Sequence, residues 1–203
     1  MISVYLLEKS RTVQLAKDER TFHVFYQLLE GASADMKKLL FLEPASSFRY
    51  LTQSGTTTVP GVSDKDEFMV LKDALDTYQI DKEDQEAIFR VVSAILHLGN
   101  LQFKGEKAEI SNQKELEVCA SLLQCDKQAL DDALCRPKIR AGGEIVKTHL
   151  SAEKAGDSRD ALAKSLHHRV FLWLVKRINK TLCQEVKAHF IGKLKYNFFN
   201  WKY

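Results

Sequence analysis

The chain has 203 residues, of which 45% are hydrophobic and 28% charged, with only 9 Gly and 3 Pro. This composition excludes collagen-like, low-complexity and disordered classes and predicts a globular fold. The 30 Lys and Arg against 27 Asp and Glu leave a formal net charge of +3, which gives no sign of nucleic-acid binding. No apolar run approaches the roughly 18 residues of a membrane span. We therefore expect neither nucleic acid nor a membrane as a partner, and a cytoplasmic location.

The first part of the chain predicts one strand followed by helices. Residues 2–7 are rich in β-branched and aromatic side chains and predict a strand. Asp18 is a good N-cap for a helix that ends at Gly31, and Ser33 for a short helix that ends near residue 42. Residues 45–61 are rich in Ser, Thr and Gly and predict a long connector.

Helical periodicity dominates the rest of the chain. It predicts helices beginning at Asp64 and after Asp81, the second of them buried on most of its circumference and ended by Gly99 and Asn100. Further helices are predicted at 113–123, 127–134 and, longest of all, 152–183. Residues 186–191 predict another strand.

A charged loop lies between the last two of these helices. Residues 138–140 and 144–148 predict two short extended arms around a turn at Gly142 and Gly143. The loop is mostly basic and carries Lys138, Arg140, Lys147 and His149 around the single acidic residue Glu144. Two interpretations stay open from the residues alone: a solvated turn or a protein-binding loop.

Motifs that carry chemistry are absent from the sequence. The four cysteines, at 119, 125, 135 and 183, form no CxxC pair or zinc spacing, and we expect all four to be buried, reduced thiols. There is no glycine-rich phosphate loop, no GxSxG elbow and no histidine cluster. We predict no catalytic, cofactor-binding or metal-binding residues.

Several motifs in order resemble the myosin motor head. They are YLLEKSR at 5–11, ERTFHVFYQLL at 19–29, AILHLGNL at 94–101 and SRDALAK at 158–164. The segment FLWLVKRIN at 171–179, followed by LCQE at 182–185, is most similar to a conventional class II head. The resemblance covers residues 2–192, nearly the whole chain.

The resemblance implies a mainly α fold, namely a helical segment of the upper fifty-kilodalton type with a few short strands. Two of these strands, at 2–7 and near Phe190, would belong to an incomplete central transducer sheet. Residues 1–192 would then be a partial motor domain. The tail at 193–203 does not resemble the family, and we expect it to be disordered.

The implied function is that of a fragment of an actin-based, ATP-driven cytoskeletal motor. Its implied partners are the actin filament and the remainder of a myosin heavy chain. The family holds ATP and Mg²⁺ with a P-loop and two switch segments, and none of these motifs occurs in the 203 residues. We therefore expect no ATPase activity from this chain alone. The alternative is a short helical module that binds actin or another partner without ATP.

Two loops resemble actin-facing loops of the family. Residues 138–150 resemble the cardiomyopathy loop and residues 104–114 resemble loop four. The resemblance assigns actin binding to Lys138, Arg140, Glu144, Lys147, His149, Lys104 and Lys107. Glu144 occupies the position where the family has an acidic or a phosphorylatable residue, so we expect it to support strong actin attachment without phosphorylation.

Overall fold

A computed structural model describes Ile2, residues 7–141 and residues 144–199, with side chains described up to residue 183 except at 139, 141, 144 and 145. The fold is mainly helical, as the sequence predicts, with 3₁₀ turns at Lys9–Thr12 and Ala45–Ser47. The helices are α1 (His23–Gly31), α2 (Ala34–Leu39), α3 (Arg49–Thr52), α4 (Asp64–Thr77), α5 (Lys82–Asn100), α6 (Gln113–Leu123), α7 (Lys127–Cys135) and α8 (Ala152–Phe199). The strands are β1 (Phe103–Lys104), β2 (Glu109–Ile110), β3 (Lys138–Ala141) and β4 (Glu144–Lys147).

Local capping sets the start of several helices where the sequence predicts them. The side chains of Ser33, Ser63 and Asp81 accept hydrogen bonds from backbone N–H groups in the first turns of α2, α4 and α5, at 3.2, 3.3 and 2.8 Å. These bonds satisfy N–H groups that have no partner inside the helix. The predicted starts of these helices are confirmed.

The core is built around α5. This helix buries apolar side chains on several faces, because α1, α3, α6 and α8 all pack against it. Close packing of α4 against α1 depends on Gly31, where a Cβ atom would lie 2.3 Å from the Cβ of Phe68. The prediction that α5 is mostly buried is confirmed.

The predicted strand at 186–191 is wrong, because α8 continues through these residues to Phe199. A helix forms its backbone hydrogen bonds within its own segment, whereas a strand needs a neighbouring strand to pair with. No proline interrupts the segment, so the helix that begins at Ala152 can propagate. Residues 193–199, expected to be disordered, also lie in α8.

The beginning of the chain differs from the prediction in one respect and is only partly described. The strand predicted at 2–7 falls largely outside the described residues. Ile2 is described, and its backbone exchanges two hydrogen bonds with the Asn179 side chain on α8, at 2.6 and 2.8 Å. Asp18 does not cap α1: it adopts a φ of 63° in a turn, and α1 begins five residues later at His23.

The predicted connector at 45–61 contains part of the core. Phe48, Tyr50 and Leu51 are almost completely buried around the short helix α3. The polar residues that follow them led to the connector prediction, but three large apolar side chains in four residues are enough to anchor the segment to α5.

Among the described residues, no helix is long and apolar enough to cross a membrane.

His167 lies in an aromatic environment on the buried side of α8. Its ring stacks on Phe22 with ring centroids 4.2 Å apart and lies 5.9 Å from Phe25. Burial, with a smaller contribution from the neighbouring His168, lowers the pKa of His167 from 6.5 to about 4. The folded chain therefore holds this imidazole neutral.

This pKa predicts that the chain loses stability as the pH falls from 6.5 to 4. In that window the unfolded state binds the His167 proton and the folded state does not, so protons favour unfolding. We expect His167 to lower the free energy of unfolding by about 2 kcal/mol between pH 7 and pH 4.5. Urea unfolding at both pH values should show this loss in the parent chain and a smaller loss in His167→Phe. His149→Phe, at an exposed position, is the control, and an equal loss in all three chains would contradict the assignment.

Candidate functional site

The predicted actin-facing residues lie on two antiparallel hairpins. Strands β1 and β2 pair Lys104 with Glu109, and β3 and β4 pair Lys138 with Lys147 and Arg140 with Ile145. The two predicted extended arms are thereby confirmed as a hairpin. The turn predicted at 142–143 lies outside the described residues.

Backbone hydrogen bonds hold the turn of the first hairpin against the segment that links the second hairpin to α8. The N–H of Ala108, next to β2, donates to the carbonyl of Leu150 at 2.8 Å. The N–H of Ala152, the first residue of α8, donates to the carbonyl of Gly105 at 3.3 Å. The two hairpins, which are distant in sequence, therefore lie close together near the start of α8.

An ion-pair cluster fixes the second hairpin to α7. The carboxylate of Asp132 accepts hydrogen bonds from Arg136 Nε at 2.7 Å and from Lys147 Nζ at 3.0 Å. Arg136 also pairs with Asp131. The hydrogen bonds from Arg136 and Lys147 hold the pKa of Asp132 well below its usual range. The ion pair between Lys147 and Asp132 therefore helps to orient β4.

The cationic side chains of the two hairpins are exposed. We define the hairpin surface as the exposed side chains of Lys104, Lys107, Lys138, Arg140, Lys147 and His149. Val146 on β4 is 45% exposed and adds an apolar contact. Glu144 lies in β4 opposite Ala141, and its side chain is outside the described part. The structure thus brings the predicted site residues onto two adjacent hairpins.

A buried polar network supports the base of this surface, and the sequence analysis did not find it. Tyr50 Oη donates to Asp160 Oδ1 at 2.6 Å, and Arg159 donates to the same oxygen at 2.8 Å and to the Leu101 carbonyl at 2.9 Å. The Arg159 guanidinium also lies 5.8 Å from the Phe103 ring in β1. Burial, followed by the contact with Asp160, raises the pKa of Tyr50. The only signal in the sequence was the adjacent Arg–Asp pair within SRDALAK.

A cavity of about 860 Å³ lies beside this network. Its charged lining consists of Arg49 and Arg159 against the carboxylates Glu115, Glu153, Asp157 and Asp160. A nucleoside triphosphate requires an excess of cationic and N–H donors. The Arg159 guanidinium does not supply one, because it already donates to Asp160 and to the Leu101 carbonyl. The residues of this cavity do not fit the triphosphate of ATP.

The cysteines match the expectation in part. Cys119 and Cys135 are buried, and burial raises the pKa of both thiols, that of Cys135 to about 12. Cys125 and Cys183 are exposed, so the expectation that all four are buried is wrong. Cys125 lies in the connection between α6 and α7, and Cys183 lies on the solvent side of α8. Within the described ranges, no three His, Cys, Asp or Glu side chains are grouped to hold a metal ion.

Comparison with known proteins gives the family. The model of the family described as Myosin head (motor domain) matches residues 1–201. This chain belongs to the myosin head family. The family match continues past residue 192, where the predicted motor-domain segment ends.

Similar proteins occur in plants. The chain is 40% identical to Myosin-16 and 41% identical to Myosin-14 of Arabidopsis thaliana, and 42% identical to Protein OPAQUE1 of Zea mays, with 99% of its length covered in each case. It spans only 14–17% of the length of these relatives. The resemblance to a myosin head is confirmed, and the finer assignment to a conventional class II head is not supported. Membership of this family favours the motor-head interpretation over an ATP-independent module.

Proposed function

We propose that this chain is part of an actin-dependent motor and that the hairpin surface contacts the actin filament. The observation that carries the proposal is the pair of backbone hydrogen bonds from Ala108 to Leu150 and from Ala152 to Gly105. They place two separately predicted actin-facing loops next to each other. A filament subunit docked there would meet both loops at once.

The chemistry of the hairpin surface suits an acidic partner patch with an apolar centre. Lys104, Lys107, Lys138 and Arg140 are exposed, and such cations speed encounter with an acidic surface and fix its orientation. Val146 supplies apolar area that is buried only on binding. The exposed Glu106 and Glu109 restrict the cationic area to one part of the surface, which favours a defined orientation.

ATP hydrolysis in such a motor would come from the rest of the heavy chain. The sequence contains no P-loop or switch motif, and the cavity beside Arg159 does not fit a nucleotide. The proposed partners are therefore the actin filament and the remaining parts of a myosin heavy chain, in the cytoplasm with the actin cytoskeleton. The 203-residue chain alone should show no actin-activated ATP turnover above a heat-denatured sample.

Charge reversal on the hairpin surface should weaken actin binding. We expect the quadruple variant Lys104→Glu, Lys107→Glu, Lys138→Glu, Arg140→Glu to lower the affinity for filamentous actin by about tenfold or more, because four attractive contacts become repulsive. Co-sedimentation of the 203-residue chain with actin at low and moderate salt measures this. Binding by the parent chain should also weaken as salt rises.

The matched control reverses four exposed lysines outside the two hairpins, at positions 9, 17, 38 and 65. It changes the net charge equally, so unchanged co-sedimentation would assign the loss to the hairpin surface. Glu144→Ala should also lower the affinity, as its position in the family motif suggests. Equal binding by the parent and the hairpin quadruple variant would contradict the proposal.

A further inference from the structure

The middle of α8 has a strongly one-sided charge. Residues 161–184 contain no Asp or Glu. The same segment contains five basic residues, namely Lys164, Arg169, Lys176, Arg177 and Lys180. A solvated helix of a nearly neutral protein usually mixes both signs. This segment therefore offers a local positive potential that the net charge of the chain does not reveal.

Part of this charge lies on one exposed face together with apolar side chains. We define the α8 face as Arg169, Leu172, Trp173, Lys176 and Lys180, all of which are exposed. Arg169, Trp173, Lys176 and Lys180 follow one another at three or four residues and lie along one side of the helix, with Leu172 at its edge. Leu172 and Trp173 are 41% and 38% exposed, and a large aromatic among cations is typical of binding surfaces.

An apolar groove adjoins the α8 face. It has a volume of about 310 Å³ and runs between α5 and α8. Its apolar lining consists of Ala87, Ile88, Val91, Leu166, Val170 and Trp173. Asp84 and Arg169 lie at its polar margins. This volume is at the lower end of the range for ligand pockets, ~300–1,000 Å³, and suits one or two bulky side chains.

Hydrogen bonds to the end of α4 fix the rotation of α8 so that this face points outward. Arg177 Nη2 donates to the carbonyl of Gln79 at 3.0 Å, and Thr181 Oγ1 donates to the carbonyl of Tyr78 at 3.0 Å. Thr181 is buried, and Arg177 lies one turn after Trp173, between the α8 face and the buried side of the helix. The α8 face is thus presented by the fold and does not depend on a chance orientation of side chains.

The α8 face is distinct from the hairpin surface. Trp173 is 21 residues beyond Ala152, the first residue of α8, which corresponds to about 30 Å along the helix axis. A filament docked on the hairpins would meet the other end of α8. The two surfaces can therefore bind different partners.

We propose that the α8 face and its groove bind an acidic protein segment that inserts apolar side chains, in the form of an amphipathic helix. The cations of the α8 face attract the acidic positions, and the groove takes the apolar ones at i and i+3 or i+4. A protein segment fits better than a lipid surface, because the apolar lining is recessed between two helices. Membrane insertion requires apolar side chains that protrude.

The test uses the fluorescence of Trp173 in the 203-residue chain. The sequence has 2 tryptophans, so Trp201→Phe makes Trp173 the single reporter. The probe is a synthetic amphipathic helix with leucines at i, i+3, i+4 and i+7 and with alanine and glutamate elsewhere. We expect a saturable blue shift of Trp173 emission with this peptide and none with a scrambled peptide of equal composition.

Variants separate the two components of the site. Lys176→Glu with Lys180→Glu should weaken peptide binding by about tenfold or more through charge. Ala87→Phe should do the same by filling the groove, since Ala87 is exposed and a larger side chain there need not disturb the core. The matched control, Lys38→Glu with Lys65→Glu, should bind like the parent. Circular dichroism confirms that each variant is folded.

Four results would overturn the proposal. The first is the absence of a saturable shift with the amphipathic peptide, and the second is equal binding by Ala87→Phe and the parent. The third is a shift that occurs only with vesicles of phosphatidylserine and phosphatidylcholine. The fourth is self-association of the chain, measured by ultracentrifugation, that prevents the peptide from binding. The third result would assign the face to membranes and the fourth to a second copy of the chain.

Discussion

Asp64→Ala should lower the free energy of unfolding by about 3–5 kcal/mol, because it leaves a charge buried without its partner. Arg20 Nη2 donates to both carboxylate oxygens of Asp64 at 2.8 Å, and the two side chains are only 6% and 9% exposed. The Arg20 guanidinium also lies 3.8 Å from the centre of the Tyr26 ring, so it cannot easily reach water. Urea unfolding followed by circular dichroism measures the loss.

The exposed pair of Glu117 and Lys127 is the matched control. Their side chains are 61% and 38% exposed at an N···O distance of 2.8 Å, so Glu117→Ala should change stability far less than Asp64→Ala. Replacing both members of the buried pair, with Arg20→Met and Asp64→Leu, should recover much of the loss. If the double variant were as unstable as Asp64→Ala, the unpaired charge would not be the cause.

Gly31→Ala should destabilise the chain by about 2–3 kcal/mol through overpacking. A Cβ at residue 31 would lie 2.3 Å from Phe68 Cβ and 2.6 Å from two ring atoms of Phe68. The Cβ of Phe68 cannot move by rotation of the side chain, so α1 and α4 must separate. Thermal unfolding should show a lower midpoint.

Gly156→Ala should have the opposite effect on stability. A Cβ there meets no atom within 4 Å, and Gly156 lies inside α8, where alanine is the better helix former by up to about 1 kcal/mol. We expect a small gain in stability. A similar loss in both alanine variants would show that the close contact with Phe68 is not what destabilises Gly31→Ala.

Features that depend on neighbours in sequence were predictable. Ser33, Ser63 and Asp81 cap helices because each cap involves atoms three residues apart. The two arms of the β3–β4 hairpin were predictable for the same reason, since two short extended segments flank a pair of glycines. The seven actin-facing residues came from resemblance to a family, and their role stays a prediction.

Features that depend on distant partners were not predictable. Whether residues 186–191 form a strand depends on a pairing strand, and without one the local preference yields to the helix that precedes it. The hydrogen bond that joins Ala108 to Leu150 involves only backbone atoms, so no residue type indicates it. Tyr50 and Asp160 lie in distant segments, and only folding brings them to 2.6 Å.

The long helix α8 connects two distant parts of the molecule. It begins beside the hairpins at Ala152 and reaches Asn179, which holds the backbone of Ile2. These positions are about 40 Å apart at the rise of an α-helix. A tilt of about 5° at the hairpin end would therefore displace the Asn179 end by roughly 3 Å. A small change at the proposed filament-binding end would thus become a shift comparable to a hydrogen-bond length at the opposite end of the helix.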